Sequence, residues 1–238
     1  MNILICEFMA TMLLILIGDG VCGNVLLTKS AMQGGGPIII TVGWGLALMI
    51  PAYMFGPITG AHVNPAVSIA LAIDGTIPFS VLPLYLIGQF AGAFVGACIV
   101  YLLYMKHFDV TQDQNLKRSV FCTSPAIADN KTNFLSEVVG TFVLMFAIKG
   151  LCEVPALKDS GLLYMFIGLI LVSVGMSFGG LTAYAVNPAR DLGPRLAFTV
   201  LPIKDKGSAH WKYAWIPCFG PIIGAIIAVL VFAAIPWL

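Results

Sequence analysis

The tripeptide Asn-Pro-Ala occurs twice in this chain, at Asn64-Pro65-Ala66 and at Asn187-Pro188-Ala189, each time inside a strongly apolar stretch. The approaches are alike: Gly60-Ala61-His62-Val63 leads into the first, Thr182-Ala183-Tyr184-Ala185-Val186 into the second. A further pair, Glu7-x-x-x-Thr11 and Glu137-x-x-x-Thr141, stands near the start of an apolar run in each half. Glu7 precedes Asn64 by 57 residues and Glu137 precedes Asn187 by 50, so order and spacing repeat. One motif per half of an apolar chain points to a duplicated membrane fold whose functional site lies where the halves meet.

The chain is 59% hydrophobic and 10% charged, far from the roughly 25% charge of a soluble domain. A span needs about 20 apolar residues. Six are expected, at Ile3–Leu27, Ile38–Phe55, Phe79–Tyr104, Phe134–Gly150, Leu162–Gly179 and Tyr213–Trp237. Two shorter segments, Asn64–Ile73 and Asn187–Val200, begin at the two Asn-Pro-Ala motifs and reach only about halfway across a ~30 Å hydrocarbon core. The expected fold is therefore all-α, six spans plus two half-helices in one domain. Its halves cover about 1–110 and 133–238, joined by loop 106–132. Gly88-x-x-x-Gly92-x-x-x-Gly96 and Gly220-x-x-x-Gly224 read as close-packing faces between spans.

The first apolar run lacks a basic leader, so it reads as a retained span and not a signal peptide. Six cysteines without CxxC spacing read as apolar filler, with no metal site. A net charge of +1 and no basic block give no nucleic-acid signal. No nucleophile–base set or phosphate loop suggests an enzyme or a cofactor. Lys106, Lys117, Arg118 and Lys131, with Lys204, Lys206 and Lys212, fall on one side of the expected topology, which charge counting places in the cytoplasm.

Backbone that leaves a helix at membrane depth must be buried in protein or line water. Proline at the first helical position loses no hydrogen bond, and asparagine is a favoured N-cap whose oxygen takes a backbone N–H. Its amide NH₂ is then left as a fixed donor. Two such helix starts meeting at mid-membrane bring two positive dipole ends and two donors together. A neutral oxygen can accept from them, whereas a cation is repelled and a water chain cannot keep one hydrogen-bond direction. Carbonyls of Gly60, Ala61 and His62, and of Ala183, Tyr184 and Ala185, would supply acceptors along the path.

On these motifs, over essentially its whole length, the chain resembles the aquaporin superfamily, and within it the glycerol facilitators. The resemblance implies an hourglass bundle, a homotetramer with one pore per subunit in the plasma membrane, and cytoplasmic termini, against the charge count. It also implies a selectivity filter of Trp44, Gly175, Tyr184 and Arg190, with Arg190 binding hydroxyls and Trp44 and Tyr184 forming an apolar corner. Gly175 stands where water-selective relatives carry histidine; Tyr184 departs from the usual phenylalanine of glycerol facilitators. Tyr104, Asp191, Arg195, Pro217 and Cys218 follow the pattern that marks the glycerol type, with Asp191 expected to anchor Arg195 or nearby loop N–H groups. Glu7 and Glu137 are expected to hold the re-entrant loops, while Asp19 and Gln89 carry no assignment. The implied function is passive passage of glycerol, water and other small uncharged solutes, with dihydroxyacetone, urea and protonated lactic acid open as alternatives. A coupled transporter is the rival from another class, and lipid is the expected surround.

Overall fold

The computed structural model describes residues 2–236. Ten helices follow in order: α1 (Asn2–Leu26), α2 (Pro37–Thr59), α3 (Pro65–Ile73), α4 (Leu82–Val110), α5 (Gln114–Ser119), α6 (Asn130–Cys152), α7 (Pro155–Asp159), α8 (Leu163–Thr182), α9 (Pro188–Val200) and α10 (Trp215–Ala234). Six of them, α1, α2, α4, α6, α8 and α10, are long and apolar enough to cross a membrane. At about 1.5 Å per residue, α3 and α9 cannot.

Helix ends depart from the hydropathy limits for a physical reason: hydropathy marks the lipid-facing part, while capping and hydrogen bonding set the helix. Helix α6 begins four residues before its apolar run because Asp129 accepts from Lys131 N and Thr132 N. Helix α4 continues past Tyr104 through Lys106 and His107 to Val110. Residue Trp237, at the end of the expected sixth span, lies outside the described residues, and α10 ends at Ala234. The short helices α5 and α7, both in connecting segments, were not expected.

Helix α4 packs on α1 and α10 on α6, each through its glycines. A Cβ at Gly92 would collide with the Phe8 carbonyl, and one at Gly224 with the Val138 carbonyl. Phe8 and Val138 directly follow Glu7 and Glu137, so the two contacts occupy the same register in the two halves. Each half-helix lies against the last span of the other half, α3 against α10 and α9 against α4, which interlocks the bundle. Around its outside Ile58, Leu102, Leu103, Leu169 and Leu230 remain exposed. In water such a belt is an aggregation surface; in a bilayer it is solvated by lipid.

Candidate functional site

The two re-entrant loops have matching backbone. Gly60, Ala61 and Val63 have φ of 82°, 46° and 48°, while Ala183, Tyr184 and Val186 have φ of 60°, 36° and 42°. Five of these six are not glycine, and the left-handed region costs such residues about 1–2 kcal/mol each. Something must hold the loops, and a buried glutamate does so in each half. Glu7 accepts from Thr59 Oγ1 (2.8 Å), His62 N (3.1 Å) and Val63 N (2.9 Å). Glu137 accepts from Thr182 Oγ1 (2.7 Å), Ala185 N (2.9 Å) and Val186 N (2.8 Å). Both carboxylates thus receive a threonine hydroxyl and two loop amides, a set that suits a buried carboxylate acceptor. Gln89, unassigned from sequence, donates to Glu7 (2.8 Å) and to Ser68 (2.9 Å).

The half-helices start back to back. Asn64 caps α3 by accepting from Ala66 N (2.9 Å); Asn187 caps α9 by accepting from Ala189 N (3.0 Å) and Arg190 N (3.2 Å). Pro65 and Pro188 occupy the first helical positions, and Ala66 and Ala189 are fully buried beneath them. The sequence suggests two free asparagine amides, but neither is wholly free. Asn64 Nδ2 donates to the Val186 carbonyl and Asn187 Nδ2 to the Val63 carbonyl, each at 2.8 Å. One N–H of each amide ties the opposite loop, leaving the second for the cavity that both residues line.

That cavity holds about 260 Å³ and runs from Trp44, Tyr184 and Arg190, past both asparagines, to Lys149, Cys152 and Tyr164. Gly60, Ala61, His62 and Ala185 line it; Ala183 does not. Its walls are otherwise apolar, including Leu14, Leu48, Leu144, Ile167 and Leu171. At one end the Lys149 ammonium lies 2.9 Å from Asp74, tying α6 to the end of α3.

At the other end the Arg190 guanidinium lies over the Trp44 indole, 3.9 Å from the ring centroid, and Trp44 Nε1 donates to Cys22 Sγ at 3.4 Å. Gly175 is beside Tyr184 and not in the cavity wall. A Cβ there would be 2.8 Å from Tyr184 Cζ and 2.6 Å from Thr41 Cγ2. The space that glycine leaves is thus occupied first by the Tyr184 ring. Asp19, also unassigned from sequence, is fully buried with Oδ1 3.7 Å from Arg190 Nη1.

None of Tyr104, Asp191, Arg195, Pro217 and Cys218 lines the cavity. Asp191 and Arg195 form a fully buried pair, with Nε to Oδ2 and Nη2 to Oδ1 both at 2.7 Å. Asp191 also accepts from Thr123 N (3.0 Å), and Arg195 donates to the carbonyls of Thr123 (2.9 Å) and Ala209. The pair thereby fastens two loops to the start of α9. Tyr104 packs over Gly23 and beside His107, Pro217 is buried in the first turn of α10, and Cys218 is half-buried.

Several of the lysines and arginines that weigh in the charge count are structural. Lys117, 2% exposed, donates to the Lys204 carbonyl (2.5 Å), and Lys206 donates to the Thr199 (2.7 Å) and Leu201 (2.5 Å) carbonyls at the end of α9. Arg118 contacts Asn115 and His210. Burial, with the nearby Arg118 and Arg195 cations, holds the His210 imidazole below its ordinary pKa, so it faces Arg118 as a neutral ring.

Comparison with known proteins agrees with this architecture. The family model described as Major intrinsic protein matches residues 1–232. The chain is similar to the probable glycerol uptake facilitator protein of Thermotoga maritima, 48% identical over 227 residues that cover 95% of this chain and 96% of that one. It is also 48% identical over 219 residues to the glycerol uptake facilitator protein of Bacillus subtilis, covering 92% and 79%. Among solved structures, the aquaglyceroporin from Plasmodium falciparum superposes with a TM-score of 0.85 at 29% identity, covering 98% of this chain and 95% of that one. The chain belongs to the major intrinsic protein family.

Proposed function

We propose that this protein is a passive channel for glycerol, water and other small uncharged solutes, with Trp44, Gly175, Tyr184 and Arg190 as its selectivity filter. The observation that carries the reading is the junction of two half-helices at the middle of one continuous, mostly apolar cavity, with both asparagine amides and Arg190 on its wall. A polyol slides along the apolar wall while its hydroxyls exchange among these few donors and the loop carbonyls. A cation meets two positive helix ends and a guanidinium. The relatives' names, glycerol uptake facilitators, favour glycerol as the solute. Glu7 and Glu137 are scaffold, since all their hydrogen bonds hold loops and side chains in place.

We further infer a homotetramer in the plasma membrane with cytoplasmic termini, which puts the Arg190 end of the cavity outside. The deciding experiment is stopped-flow swelling of proteoliposomes with glycerol, dihydroxyacetone, urea and lactic acid. Glycerol flux should rise linearly with concentration, without dependence on a sodium or proton gradient. Accumulation against a gradient in energised vesicles would revive the coupled transporter.

A further inference from the structure

We propose that Asp19 is a specificity-determining residue: as the buried counter-ion of Arg190, it stops the filter guanidinium from capturing small carboxylate anions. The proposal rests on the channel reading above. Asp19 is fully buried on α1, and neither of its oxygens receives a hydrogen bond, although Oδ1 is 3.7 Å from Arg190 Nη1. A carboxylate in a membrane interior needs hydrogen-bond donors or a cation to face; Glu7 and Glu137 have donors, whereas Asp19 has none and faces Arg190. Among the described residues, Arg190 is the only cation within ion-pair distance of it. The other acid nearby, Asp191, is matched by Arg195 at 2.7 Å and by Thr123.

Asp19 belongs to a single turn of α1 that backs the filter. A Cβ on Gly18 would collide with the Trp44 ring, and Cys22 accepts the Trp44 N–H at 3.4 Å. Trp44 in turn carries Arg190 on its face, at 3.9 Å. Gly18 and Cys22 thus meet Trp44, and Asp19 meets Arg190. The 3.7 Å pair lacks a direct hydrogen bond, so Asp19 balances charge while the guanidinium keeps its fork of N–H donors. Without Asp19, that fork would be an unbalanced cation in front of the positive starts of α3 and α9. Such a place matches a planar carboxylate two bonds at a time. With Asp19, the pair is neutral overall and offers donors to hydroxyls without holding an anion.

The test uses sodium formate as the probe at about pH 7.5, where formate is almost wholly anionic. Water permeability of proteoliposomes is followed by stopped flow, each variant normalised to its own formate-free rate. Wild type should be insensitive. Asp19→Asn should lose flux at formate concentrations at least tenfold below any that affect wild type, or, if the anion crosses, acquire a reversal potential that follows the formate gradient. The double variant Asp19→Asn/Arg190→Gln should be insensitive again, because the effect acts through Arg190. A purely structural role for Asp19 would change the formate-free rate without creating anion sensitivity, and that result overturns the proposal. So does a wild type blocked as strongly as Asp19→Asn. If Asp19→Asn does not assemble, Asp19→Ser is read in the same way. Because water is the reporter, a channel that fails to pass glycerol still gives an answer here, so the two readings fail separately.

Discussion

Asn64 and Asn187 each donate to the carbonyl that precedes the other, Asn64 to Val186 and Asn187 to Val63, both at 2.8 Å. Each asparagine therefore caps its own half-helix with its oxygen and anchors the opposite loop with its nitrogen. The two halves are fastened at the point where the pore is proposed to reject charge, so stability and selectivity share one pair of side chains.

Asn187→Asp separates these roles. The carboxylate can still cap α9, but it cannot donate to the Val63 carbonyl and sets two acceptors face to face. Thermal unfolding in detergent should show a loss of about 1–3 kcal/mol, the cost of an unmade buried hydrogen bond. Planar-bilayer recording should show cation leak from the added negative charge. Unfolding and conductance both equal to wild type would mean that the cross-tie matters to neither.

Glu137→Gln weakens the second loop clamp. A neutral amide accepts more weakly than the carboxylate that now receives Thr182 Oγ1, Ala185 N and Val186 N, and its NH₂ would face a donor. Several left-handed residues then lose their support, and stability should fall by about 2–4 kcal/mol in total. Glu7→Gln should act the same way. In whatever folds, glycerol flux should not become coupled to a proton gradient or uncoupled from one. A variant of normal stability with altered proton dependence would point to a relay.

The candidate filter gives a size prediction. A side chain at Gly175 must displace the Tyr184 ring, 2.8 Å from the position of its Cβ. Gly175→His should cut glycerol permeability about tenfold or more, corresponding to about 1.4 kcal/mol of barrier, while water flow falls much less. Equal loss of both in folded protein would remove Gly175 from the aperture.

How far these features were readable from the chain depends on their range. The Asn-Pro-Ala pair, the Glu-x-x-x-Thr pair and the glycine faces repeat at matched positions, and repetition makes them visible. Thr59 was missed although Thr59-Gly60-Ala61-His62-Val63-Asn64 stands in register with Thr182-Ala183-Tyr184-Ala185-Val186-Asn187. Its partner Thr182 drew notice only as part of the approach to the motif. Asp19 carried the signal that any acid in a span carries, but its partner is 171 positions away and no spacing rule connects them. Charge counting treats every lysine as solvated at a membrane face. Lys117 and Lys206 are instead bound to backbone carbonyls, where their positions answer to packing and capping.

Removing the Arg190 charge tests exclusion. Arg190→Ala leaves Asp19 buried without its cation, so the Arg190 end of the cavity changes from balanced to acidic. Proton or cation conductance should become measurable in a planar bilayer. Arg190→Ala/Asp19→Asn, with no charge left, should leak less than the single variant. Equal leak in both would show that Asp19 plays no part in the local field, and no leak in either that Arg190 is not the electrostatic gate.

The last prediction concerns acids. With Asp19 against Arg190 as proposed, a lactate anion finds no net positive charge at the candidate filter, and beyond it the wall is mostly aliphatic, with Leu14, Leu48, Leu144 and Leu171. Taking an unpaired carboxylate out of water costs several kcal/mol or more. Protonated lactic acid has two hydroxyl-like groups and little charge, and so resembles the polyols that the donors suit. If lactic acid crosses, its uptake should climb as pH falls toward the acid's pKa and should track the protonated fraction. Proteoliposome uptake of labelled lactic acid at about pH 4 and about pH 7 checks this directly. Equal permeability at the two pH values would require an anion path, and neither the neutral Asp19–Arg190 pair nor the apolar wall provides one.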